Sequence, residues 1–135
     1  MKQDLNRVLK LLFFGGAIFL PAMLCSIGWE RQAIELAKAI PASPDFVYVG
    51  EFTTSYPSSL PGAGVTYHTD ATRDEILDFY KNELAAENWE ITKIDADNLY
   101  QSVPYIIHAQ KDNWLCEIVI ENLKQRQITI NIRSK

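Results

Sequence analysis

Leu11 to Trp29 (LLFFGGAIFLPAMLCSIGW) is nineteen residues without one charged side chain, in a chain of only 135. As a helix it covers roughly 28 Å, at about 1.5 Å per residue, which is close to one hydrocarbon thickness. A core helix of a small globular domain shows a polar face; here only Cys25 and Ser26 carry polar side chains. Pro21 weakens an isolated helix in water but is tolerated in a bilayer, and Trp29 stands where an interfacial aromatic stands. The run reads as a transmembrane helix. A cleaved leader is the rival. The basic start suits it, and Ser26-Ile27-Gly28 is a passable small-x-small site, but the apolar stretch exceeds the about 7–15 residues a leader uses. A lipoprotein site at Cys25 wants small residues ahead of it and finds Met23 and Leu24.

Charge orients the span. Lys2, Arg7 and Lys10 precede it, while Arg31 and Lys38 follow, so the N-terminus is expected in the cytoplasm and the rest outside the inner membrane. The part after Trp29 carries ten Lys and Arg against sixteen Asp and Glu. That acidic balance, without a basic cluster, excludes nucleic acid as a partner. Gly15, Ala22 and Ser26 share one stripe of the expected span, and small residues let a second helix approach closely. They are the candidate helix–helix contact. Cys25 and Cys116 are too few for a disulfide framework and form no metal-type spacing.

The chain divides into a cytoplasmic start (1–10), the span (11–29), a juxtamembrane helix with a proline linker (30–44) and an outer α+β domain (45–135). In ERQAIELAKAI, the apolar Ala33, Ile34, Ala37 and Ile40 continue the helix until Pro41 and Pro44 stop it. Strands are expected at Phe46–Phe52, Gly64–Thr69, Trp89–Ile94, Tyr105–Gln110, Trp114–Glu121 and Arg126–Arg133. Ile128, Ile130 and Ile132 alternate with Gln127, Thr129 and Asn131, so one sheet face is covered and one is wet. Thr72-Arg73-Asp74-Glu75 fits a capping box. Behind it, Ile76, Phe79, Tyr80 and Leu84 make one apolar helix face. Asn88 suits a left-handed helix stop. The expected fold is therefore an N-terminal transmembrane helix followed by a small antiparallel sheet of five to six strands, with one helix packed on one face.

Phe79-Tyr80-x-x-x-Leu84-x-x-x-Asn88-Trp89 resembles the FYxxxLxxxGW signature of small bacterial domains that sit behind a membrane anchor or a lipoprotein signal. Leu60-Pro61-Gly62-Ala63 and Val65-Thr66-Tyr67-His68-Thr69 are similar to that family too. Asn88 replaces its glycine, a mild departure because both residues accept the left-handed turn. The resemblance covers Leu60 to Trp89. It implies a fold and a place, and it carries no catalytic residue.

Chemistry is sparse. His68 and His108 are the two histidines, and with a carboxylate they are the one conceivable metal set; ordinary strand histidines explain them more simply. Asp95-Ala96-Asp97-Asn98 begins like a calcium loop but lacks the later Gly and Glu. Asp70, Asp74, Glu75 and Asp78 suit capping and solvation. No nucleophile elbow, phosphate loop or dinucleotide fingerprint occurs. No catalytic, cofactor-binding or metal residue is assigned, and no cofactor is expected.

The leading expectation is a non-catalytic, single-pass protein serving as an accessory or assembly subunit of a membrane complex. Its partners would be the bilayer and proteins that meet the span and a loop surface at Tyr56, Leu60 and Pro61. The alternative is an extracytoplasmic ligand-binding or sensor domain, with a pocket between helix and sheet near Tyr67, Tyr80, Trp89 or Tyr105. A small hydrolase or metal protein using His68 and His108 is the third.

Overall fold

Ile128, Ile130 and Ile132 decide which side of the sheet is dry. In the computed structural model, which describes residues 28–54, 62–96, 104–121 and 126–135, all three are fully buried. Among the described residues the chain forms α1 (28–39), β1 (Val47–Thr54), β2 (Gly62–Thr69), α2 (Arg73–Ala86), β3 (Glu90–Asp95), β4 (Tyr105–Lys111), β5 (Trp114–Ile120) and β6 (Arg126–Ser134). The strands make one six-stranded sheet in the order β1-β2-β6-β5-β4-β3, with every neighbouring pair antiparallel.

The order follows from α2. Antiparallel neighbours need only short links, so β1–β2 and β3–β4–β5–β6 run as meanders. Helix α2 carries the chain from β2 to the far edge at β3, and the meander then walks back until β6 docks on β2. Register lines up apolar rows on the covered face. Val65, Ile130, Ile118, Ile107 and Ile94 are successive cross-strand partners, as are Tyr67, Ile128, Ile120 and Tyr105. Each buried isoleucine contributes about 1.5–3 kcal/mol over an exposed one.

Both ends of α2 are set by local chemistry. Thr72 caps its start in a reciprocal box with Glu75. At the other end Asn88 takes φ 61°, the Asn88 amide donates to the Ala85 carbonyl at 3.2 Å, and the Trp89 amide donates to the Leu84 carbonyl at 2.8 Å. That is the Schellman arrangement, closed by the apolar contact of buried Trp89 beside Leu84. The helix buries Ile76, Leu77, Tyr80 and Leu84 against the sheet.

Two expectations are corrected here. The sheet is not covered by a single helix: α1 places Ala33 and Ala37, and the residue just after it, Ile40, in the same buried cluster as the strands, and its Lys38 ion-pairs with Glu51 on β1. Those apolar positions, assigned above to a juxtamembrane extension, pack on the domain's own core. The second correction concerns the membrane. The described chain is a six-stranded antiparallel sheet with two helices, and among the described residues no helix is long and apolar enough to cross a membrane. The fold class built on an N-terminal span is replaced by this one, and the single-pass, signal-anchor placement in the inner membrane is withdrawn with it. Residues 11–27 of the apolar run, including Gly15, Ala22 and Ser26, lie outside the described residues, as do Tyr56, Leu60 and Pro61.

Candidate functional site

The N-terminal half of α2 borders a cleft of about 650 Å³, which three separate segments build. The first is the turn Ser43–Phe46, whose Phe46 amide donates to the Ser43 carbonyl at 2.9 Å. Pro44 stands at the second position of that turn, where its fixed φ is pre-set. The second is the end of β2, where Thr69, Asp70 and Ala71 leave the sheet. Buried Thr69 accepts the Ala71 amide on its hydroxyl at 3.1 Å, and Arg126 donates to the Asp70 carbonyl at 3.3 Å. The third is one face of α2, presenting Glu75, Ile76 and Phe79.

The cleft has an apolar floor and an acidic rim. Phe46 and Phe79 meet edge to face at 5.4 Å between ring centres. Beneath them lies Tyr80, 5.2 Å from Phe79 and 6.0 Å from Phe46, and Tyr67 lies 6.5 Å from Phe46. Tyr48 extends the aromatic group at 5.8 Å from Tyr67. Such offset and edge contacts hold rings in place beyond what area burial alone gives. Burial pushes the Tyr80 phenol far up from its ordinary range and raises Tyr67 as well. On the rim, the Thr72 amide holds the Glu75 carboxyl below its usual range. Asp45, Asp70 and Glu75 thus ring an opening whose base is Phe46, Ile76 and Phe79.

The expected pocket tyrosines are divided by the fold. Tyr67 and Tyr80 belong to the aromatic group under this cleft. Tyr105 sits elsewhere, with the Arg73 guanidinium 4.1 Å from its ring centre, and Trp89 receives Lys111 at 5.9 Å. Phe46 was assigned only to the start of a strand. It is the residue that joins the turn to the helix, and its position between two prolines and a strand gave no local signal of that.

The opposite sheet face carries a polar chain. Lys93 pairs with Asp95 at 2.7 Å, and His108 Nε2 meets Asp95 at 3.1 Å. His108 Nδ1 lies 3.4 Å from Glu117, which also takes Arg133 at 3.4 Å. The Lys93 ammonium, helped by His108, holds the Asp95 carboxyl below its ordinary range. The two carboxylates lie on opposite edges of the imidazole, an arrangement for ion pairing and not for closing on one cation. His68 is no part of it. It lies on β2, three strands from β4, so more than about 14 Å separates the histidines at 4.7–4.9 Å per strand. Among the described residues no three His, Cys, Asp or Glu are grouped to hold a metal. Asp95, the first residue of the calcium-like run, is engaged by Lys93 and His108. In the acidic group, Asp78 pairs with Lys81 at 3.4 Å, and only Asp70 and Glu75 reach the cleft.

A family model described as START domain-like matches residues 51–133, from the middle of β1 almost to the end of β6. No curated protein and no solved structure gives a significant match.

Proposed function

The chain belongs to the START domain-like family, and we propose on that footing that it is a ligand-binding domain whose site is the cleft between α2, the Ser43–Phe46 turn and the end of β2. The observation that carries this reading is the cleft's make-up: about 650 Å³ over Phe46, Ile76 and Phe79. Small-molecule sites are concave, run from about 300 to 1,000 Å³, and pair an apolar lining with a few polar groups. The ligand class that fits is an amphipathic small molecule, with its apolar body on the rings and its polar part toward the hydroxyl and carboxylate groups that share the lining. The acidic rim disfavours anions at the mouth, which sets nucleotides and nucleic acid aside.

The test is a titration with N-phenyl-1-naphthylamine, a neutral dye that brightens in apolar surroundings. The expected result is saturable binding at one site per chain. Ala71→Trp, which fills the mouth, should weaken it by about tenfold or more, a difference of about 1.4 kcal/mol. A tryptophan at Thr129 on the opposite sheet face should leave it unchanged. Absence of saturable binding, or binding indifferent to Ala71→Trp, would defeat the reading.

A further inference from the structure

Tyr80 is fully buried, and its hydroxyl has no hydrogen-bond partner among the described residues. A buried donor without a partner carries the desolvation cost of the group, whereas phenylalanine would fill the same space without it. Tyr80 nonetheless sits next to Phe79, a phenylalanine, on the same helix, so ring packing alone does not call for the hydroxyl. Phe46 and Phe79 line the cleft, and both contact the ring of Tyr80. Tyr80 is not itself part of the lining; its ring lies against the two that are, and Phe46 is held by a four-residue turn and not by a strand ladder.

We propose that the Tyr80 hydroxyl is the polar anchor of the site, donating a hydrogen bond to a neutral acceptor on an otherwise apolar ligand, of the ketone, ester or ether class. This rests on the ligand-binding reading above. The ligand passes where Phe46 turns aside, lays its apolar body against Phe79 and Ile76, and ends with its acceptor oxygen at the phenol. A neutral acceptor fits because, among the described residues, no cation acts on the Tyr80 phenol. The titratable groups that act on the phenol through space are Tyr67 and the Cys116 thiol, and both are buried and uncharged in their ordinary forms. A bare hydrocarbon would leave the hydroxyl unpaired, and a carboxylate would enter a site whose rim is already acidic.

The experiment compares two probes of similar shape, 2-acetylnaphthalene and 2-isopropylnaphthalene, on the full chain and on Tyr80→Phe. The expected result is that the variant binds the ketone about three- to tenfold more weakly and the hydrocarbon equally well, the scale of one net hydrogen bond. The variant's Tm should be equal or higher. Independently of any variant, the carbonyl stretch of the bound ketone should fall to lower frequency than in a dry apolar solvent. The proposal is overturned if Tyr80→Phe shifts both probes alike or neither, or if the bound carbonyl shows no downshift. If the unaltered chain binds neither probe, the cleft itself is not a ligand site and this inference goes with it.

Discussion

Thr72 and Glu75 hold each other across the first turn of α2. The Thr72 amide donates to Glu75 Oε2 at 2.7 Å, and the Glu75 amide donates to Thr72 Oγ1 at 3.3 Å. Glu75 also lines the cleft, so the device that starts the helix fixes one edge of the candidate site. Thr72→Ala should destabilise the domain by about 1 kcal/mol, as losing an N-cap does. The carboxyl of Glu75 is held below its ordinary value of 4.5 by the Thr72 amide and hydroxyl. A depressed carboxyl contributes stability above the unfolded value and loses it as pH falls through the folded one. The stability gap between the protein and Glu75→Ala, followed by thermal melts, should be full at neutral pH and close on acidification below 4.5.

At Gly64 the β6 backbone leaves no room for a side chain on β2. A Cβ there would stand 1.8 Å from the Ile130 carbonyl oxygen, which belongs to the backbone and cannot turn aside. At Gly62 the obstacle is the Asn131 side chain, 2.0 Å away. Gly64→Ala should cost about 3 kcal/mol or more, and Gly62→Ala nearer 1, because only the second obstacle can rotate. Urea unfolding of the two variants measures this; equal losses would contradict the geometry.

Ile40 tests whether α1 is part of the domain. It is 1% exposed, just after α1, in one cluster with the strands. Ile40→Ala should lower stability by about 2–4 kcal/mol, the usual loss for a buried aliphatic truncated to alanine. A change under about 0.5 kcal/mol is what a surface position gives, and would mean that α1 does not pack on the sheet.

Much of the secondary structure was legible because its signals are short-range. Alternation through Ile128, Ile130 and Ile132 gave β6 and its buried face, and Thr72 to Glu75 gave the start of α2. Asn88 gave its stop. The role of α1 was not legible, for a physical reason. Ala33, Ala37 and Ile40 continue the polarity of the apolar run before them, and periodicity cannot tell whether such a stripe meets lipid or protein. The docking of β2 on β6 joins Ala63 to Ile132, a separation no local pattern encodes. The cleft suffers the same limit. Its floor needs Phe46, Ile76 and Phe79 together, and the turn that brings Phe46 in reads from sequence only as a stiff linker. Tyr67 and Tyr80 were named as pocket residues, but nothing in the string of letters marks a phenol that ends up without a partner.

Because β6 lies between β2 and β5, the last stretch of the chain is a keystone of the sheet and not a trimming. Until Arg126 to Ser134 has left the ribosome, the first hairpin and the later meander have no backbone bonds to one another, and each shows an open flank. Closure comes in one late, long-range step that makes folding slow relative to a helical domain of this size.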